Sequence, residues 1–184
     1  MHHALNDPTI AYCKLRSLCE GFFDDLSWVD DCGVVTTAEM TPAARSLLVH
    51  NDHMTATLSA HYHQPVALQV FGFREDTDVY RRKIALTVGE ALRVIEVGVV
   101  RVDLAQIGNE IRREVVARKV PLGDILNKHG VLTRVEPKWF VRFPKESPIA
   151  CAFRPRPDGD VFGRIGRIYC DDKPVIELLE VVRP

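Results

Sequence analysis

The sequence predicts an α+β fold with an antiparallel β-sheet. Three observations carry this. Segments of strand composition outnumber segments of helical periodicity, and most neighbouring strands are joined by short turns. The helical stretches fill the gaps that remain, a pattern typical of α+β domains.

Residues 1–33 are mixed and include "CEGFFDDLSWVDDCG", with clustered acids and aromatics, which reads as a helix plus an irregular arm. In "TPAARSLLVHND", Thr41 is placed to N-cap a helix whose first residue is Pro42, where the missing N–H costs nothing. "MTATLSAHY" and "PVALQVFGF" have strand composition, and "HQPV" between them reads as a hairpin turn. "VYRRKIALT" and "LRVIEVGVVRVDL" follow as strands separated by the break "VGEA", the second apolar enough to be central.

Asp103 with Gln106 three residues on resembles a capping box. Leu104, Ile107, Ile111 and Val115 then recur at helical spacing, with Arg112, Arg113 and Arg118 mostly on other faces. "VPLGDILNKHG" predicts a short helix closed by Gly130, and "VLTRVEPKWFVRF" a further strand. Residues 144–160 are proline-rich and read as an excursion or loop. The chain closes with the strand "VFGRIGRIYC", the turn "DDKP" and the strand "VIELLEVV". There are no repeats.

The chain of 184 residues suits one domain with a real core, and its 46% hydrophobic and 27% charged content is ordinary for a globular protein. A net charge of −1 supplies no global field toward nucleic acid or an anionic membrane, so neither is expected as a partner. An anionic ligand would need a local cluster of Arg or Lys. No apolar run approaches the ~20 residues of a membrane span, and the first residues lack the basic and apolar regions of a signal peptide. A cytoplasmic protein is expected. The five cysteines, 13, 19, 32, 151 and 170, are odd in number and form no C-x-x-C pair, so reduced structural thiols are expected.

His50 and His53 lie three apart, and His61 and His63 two apart, flanking the expected hairpin turn where exposed polar residues belong. A metal site would need a third ligand and supporting groups, and none is expected. "GDIL" and "GRIG" lack the spacing of a phosphate loop or dinucleotide fingerprint. No G-x-S-x-G elbow is present and no Cys or Ser stands in a recognisable nucleophile context, which disfavours covalent catalysis.

The strand around "YRRKIAL" is more informative, because Arg82 shares a face with Ile84 and Leu86. A guanidinium on an apolar sheet face needs a partner. Two readings remain open: a structural ion pair with Glu177 or Glu180, or a ligand carboxylate held bidentately. The last strand raises a related question. Val175, Glu177, Leu179 and Val181 share one face and Ile176, Leu178, Glu180 and Val182 the other, so alternation alone does not choose between the two glutamates.

Four segments in order resemble chorismate lyase, and look most like the compact branch of that superfamily. They are "LLVHNDHMTATL", "YRRKIAL", "VPLGDIL" with "LTR" after it, and "FGRIGRIYCDDKPVIELLEVVRP". The resemblance covers residues 41–184 and implies a single chorismate lyase-like domain over 1–184. Residues 1–40 have no counterpart in it, and residues 135–160 form a longer segment than the family's best-studied member carries. The family's fold implies an antiparallel sheet with helices on one face and a buried pocket beneath helical flaps.

Carried over residue by residue, the family's ligand contacts fall on Met54, Arg82, Leu122 and Glu180. Arg82 would bind the ring carboxylate, with backbone amides at Met54 and Leu122 completing that oxygen shell. Glu180 would face the ring position bearing the enolpyruvyl ether and hydroxyl. It is preferred over Glu177 because "LEVVRP" aligns with the family's closing residues, although a β-bulge would change that register.

The implied reaction is elimination of pyruvate from chorismate to give 4-hydroxybenzoate, with Glu180 and Arg82 as the catalytic pair and no metal or organic cofactor. A carboxylic acid in an apolar pocket is suited to moving the single proton required. The resemblance also admits a non-catalytic effector-sensing domain that binds a small aromatic acid, or a lyase acting on a related enolpyruvyl ether.

Overall fold

The structure, a computed structural model, describes residues 7–183. Seven strands form one antiparallel sheet in the order β1-β5-β6-β7-β4-β3-β2. They are β1 (Gly33–Val35), β2 (Ala67–Glu75), β3 (Val79–Val88), β4 (Arg93–Asp103), β5 (Thr133–Phe143), β6 (Val161–Cys170) and β7 (Lys173–Val182). Five α-helices accompany them: α1 (Pro8–Cys19), α2 (Pro42–Leu48), α3 (Met54–Tyr62), α4 (Asn109–Ala117) and α5 (Leu122–Lys128). The α+β architecture is the one the sequence predicts.

The helices α2 to α5 lie on one sheet face and divide it into two apolar clusters. In one, Val115 of α4 and Leu122, Ile125 and Leu126 of α5 pack on Tyr80, Val102, Ile168 and Leu178. In the other, Ala44, Leu47 and Leu48 of α2 and Met54 and Leu58 of α3 pack on Ile84, Leu86, Ile95 and Val182. The opposite face is covered as well. Leu15, Leu18 and Cys19 of α1, Trp28 and Val29 from a 3₁₀ turn, and Ile149, Ala150 and Phe153 from the proline-rich excursion pack there on Val97, Val99, Leu179 and Val181. The N-terminal segment that lacks a family counterpart thus closes the second side of the sheet.

Local signals explain most boundaries. Thr41 accepts from the Ala44 N–H and Pro42 opens α2, as the sequence indicates. Gly130 follows α5 with φ +64°, the left-handed conformation that ends a helix. All five cysteines are free thiols.

Two expectations are corrected. "MTATLSAHY" is not a strand but the helix α3, so "HQPV" joins a helix to the edge strand β2 rather than closing a hairpin. Met54 and Leu58, one helical turn apart, are both buried, and that packing overrides the strand preference of Thr and Tyr. His61 and His63 accordingly sit at the C-terminal end of α3. The helix expected to run on from Asp103 is interrupted. Asp103 does accept from the Ala105 N–H, but it caps a 3₁₀ turn at Leu104–Gln106, and α4 starts anew after Gly108. Glycine is a poor helix interior residue and a ready N-cap, which accounts for the break.

Candidate ligand-binding site

A cavity opens at the seam between the two apolar clusters, beneath the first residues of α3 and α5. Its floor is the sheet, with Arg82, Ile84 and Leu86 from β3, Glu96 and Val100 from β4, Ile168 from β6, and Leu178 and Glu180 from β7. Its roof is His53, Met54 and Thr55 from the start of α3 and Pro121, Leu122 and Gly123 from the start of α5. The two helix starts meet because Gly123 has no side chain, since a Cβ there would lie 3.1 Å from the Cβ of His53. The cavity measures about 50 Å³, enough for a few waters without any movement of the walls.

All four residues singled out from the resemblance, Met54, Arg82, Leu122 and Glu180, line this one cavity. Met54 and Leu122 are the first residues of their helices, and neither helix has a side-chain cap on its first N–H groups. Strand alternation sends Arg82 inward with Ile84 and Leu86, on the strand next to the edge strand β2.

Arg82 is 2% exposed, and its Nη1 has no hydrogen-bond partner among the described residues. The Tyr80 hydroxyl, on the same strand face, is likewise buried and unpartnered. Burial depresses the Arg82 pKa below the ordinary guanidinium value, with Tyr80 offsetting part of that effect. Neither glutamate of the last strand pairs with Arg82, so the ion-pair reading of this arginine is set aside.

The two glutamates separate by face. Glu177 points to the α1 side, where Lys14 Nζ lies 2.7 Å from its Oε1 and Arg167 and Arg101 stand at 3.6 and 3.8 Å. Glu180 points into the cavity and is held by Arg164 of β6, whose Nε lies 2.6 Å from Glu180 Oε2. The ladder pairs these two residues directly, and no bulge disturbs that part of β7.

Arg164 is fully buried and was not singled out by sequence reasoning. Its remaining donors reach the carbonyl oxygens of Leu48, His50 and Asp52, at 3.3, 2.9 and 3.1 Å. One guanidinium therefore fixes both the cavity glutamate and the loop between α2 and α3. His50 and His53, in and beside that loop, have pKa values pushed down chiefly by burial. The His53 Nε2 is 2.9 Å from the Thr133 hydroxyl.

Glu96 was also missed. A β-bulge places it: Leu86 pairs with Glu96 but Thr87 with Val94, so Ile95 is the extra residue. Ile95 and Glu96 consequently both face the helices α2 to α5, Ile95 in the apolar cluster and Glu96 in the cavity. Glu96 is 2% exposed and its Oε2 has no hydrogen-bond partner. Burial, and then the charge of Glu180, push its pKa well above the ordinary 4.5, with Arg164 partly opposing. The cavity thus has a cationic end at Arg82, apolar walls, and an acidic end at Glu96 and Glu180.

This fold is shared with solved structures. It is similar to PhnF from Mycobacterium smegmatis, with a TM-score of 0.52 and 12% identity over 72% of this chain. The chain spans 64% of the length of that protein. The effector domain of PhnF aligns with a TM-score of 0.53 and 11% identity, covering 71% of this chain and 88% of the domain. The ligand-binding domain of a GntR-family transcriptional regulator from Bordetella bronchiseptica aligns at 0.49 and 14% identity, over 64% of this chain and 85% of that domain. The sequence matches no protein-family model and no curated protein. Among the described residues, no helix is long and apolar enough to cross a membrane.

Proposed function

We propose that the cavity binds a small aromatic carboxylate and that the protein is a cytoplasmic chorismate pyruvate-lyase, eliminating pyruvate to leave 4-hydroxybenzoate. The observation that carries this is the buried Arg82 guanidinium, which lines the cavity and whose Nη1 has no hydrogen-bond partner among the described residues. A planar carboxylate would satisfy its donors in pairs. The Met54 and Leu122 amides, at the two uncapped helix starts on the roof, would complete the oxygen shell.

The ring would lie between Met54, Ile84, Leu122 and Leu178, with its substituted edge toward Glu180. Elimination removes a ring proton and the enolpyruvyl ether together, and aromatisation supplies the driving force. Glu180 would take that proton, its carboxyl oriented by Arg164. Orientation and one proton transfer are sufficient, so the chemistry needs no cofactor.

The likeness to the effector domain of PhnF favours a second reading, a non-catalytic domain that senses a small aromatic acid in the same cavity. Both readings predict binding of 4-hydroxybenzoate, and turnover separates them. Purified protein is incubated with chorismate while pyruvate and 4-hydroxybenzoate are followed. Release of both above the uncatalysed rate is expected. Binding without any pyruvate release would overturn the lyase reading in favour of the sensor, and pyruvate accompanied by a different aromatic product would place the substrate among related enolpyruvyl ethers.

A further inference from the structure

We infer that Glu96 is the proton donor of this site, giving its proton to the departing enolpyruvyl oxygen while Glu180 takes the ring proton. This rests on the lyase reading above and assigns a role to a buried acid outside the residues that the resemblance supplies.

The geometry begins with Gly98. It stands directly opposite Glu180 in the ladder, and Glu96 is two residues away on the same strand face. A Cβ built on Gly98 would lie 3.0 Å from Glu96 Oε1. The Glu96 carboxyl therefore lies over the place where a side chain would otherwise separate it from Glu180. Diagonal neighbours across a ladder are about 7–8 Å apart at the backbone, within reach of two glutamates on one face.

The charges point the same way. The charged groups acting on Glu96 are Glu180 from β7 and Arg164 from β6, and Arg82 from β3 and His53 from the start of α3 line the same cavity. Arg164 is committed to Glu180. Arg82 stands four residues along β3 from Leu86, the partner of Glu96, which is about 13 Å of strand. Two carboxylates beside one committed cation repel, so one of them keeps its proton. The fully buried, unpartnered Glu96 is that one, as its raised pKa also indicates.

The step balances. The C–H bond at the ring carbon bearing the hydroxyl breaks, and its proton goes to the Glu180 carboxylate. The neighbouring C–O bond breaks with its electron pair on the enolpyruvyl oxygen, which takes the proton of Glu96. Enolpyruvate then tautomerises to pyruvate. Glu180 passes its proton to Glu96, and both groups are restored.

Glu96→Gln tests this, because glutamine has the shape of a protonated glutamate but no acidic proton. The kcat for pyruvate release should fall by about 100-fold or more. Wild-type activity should decline at high pH as Glu96 ionises, and that decline should vanish from the profile of the variant, while affinity for 4-hydroxybenzoate stays within about threefold. A variant with the wild-type kcat and the wild-type high-pH decline overturns the inference and leaves the lyase reading standing. A wild-type protein that releases no pyruvate overturns both. Should the variant fail to fold, infrared spectroscopy of the wild type decides. A carboxylic-acid C=O band at neutral pH that moves on adding 4-hydroxybenzoate is expected, and no such band overturns the assignment.

Discussion

Replacing Arg82 with methionine separates a ligand anchor from a structural residue, because the two roles predict opposite signs. The wild-type guanidinium is 2% exposed with Nη1 unpartnered. An unsatisfied buried donor costs about 1–3 kcal/mol, and a buried ion more. Methionine keeps an unbranched, adaptable stem and removes the charge. The free protein should therefore gain about 1–3 kcal/mol of stability, and at this chain length each kcal/mol raises Tm by roughly 2–4 °C. Binding should move the other way. A bidentate carboxylate makes two charge-assisted hydrogen bonds of about 1.5–3 kcal/mol each, so affinity for 4-hydroxybenzoate should fall by about 100-fold or more. Thermal unfolding with and without saturating 4-hydroxybenzoate, alongside calorimetric titration, measures both. The ligand should raise the wild-type Tm well above its own baseline and leave that of Arg82→Met nearly unmoved. A variant that is less stable than wild type yet binds as tightly would refute the reasoning, since Arg82 would then be holding the fold.

Glu180→Gln should lose most pyruvate release while still binding 4-hydroxybenzoate. Glu177→Gln should leave turnover unchanged and cost at most about 1 kcal/mol, because its ion pair with Lys14 is partly exposed. The reverse pattern in the two turnover rates would put the functional glutamate on the α1 face. The pH dependence of stability reports on Glu96. Its folded pKa lies above the ordinary 4.5, so the folded protein holds a proton that the unfolded chain releases as pH rises past that value. Wild-type stability from this group is thus complete below about pH 4.5 and declines as pH rises toward the folded pKa. Glutamine at position 96 has no such dependence, so urea midpoints of Glu96→Gln relative to wild type should climb with pH above 4.5. A difference that stays constant with pH would mean that Glu96 is ionised in the fold.

The fold was legible because its strands are long and punctuated by turn residues, and because Gly130 marks the end of the last helix. α3 was not, because only two of its residues, Met54 and Leu58, are buried, too few for a visible helical stripe. At the site, Arg82 was visible as a charge on an apolar face. The same rule applied to "VIEVGVV" would have flagged Glu96, and applied to "VFGRIGRIYC" would have flagged Arg164. Neither could be assigned a partner from sequence. That Arg164 meets Glu180, and that Glu96 reaches across Gly98, depends on β6, β7 and β4 lying side by side, which local patterns do not encode. The bulge at Ile95 is a further step removed, since it inverts the apparent alternation of β4 just where the acid sits.

The hold of Arg164 on both Glu180 and the 48–52 loop has a mechanical consequence. The loop runs directly into His53 of the roof, so a displacement of the roof that carried the loop with it would strip up to three carbonyl oxygens from a guanidinium that stays bonded to Glu180. Such a displacement costs the unmade hydrogen bonds of a buried guanidinium, which favours the seated loop. A lysine, with one compact charge in place of the planar fork, would not join the loop and Glu180 in this way.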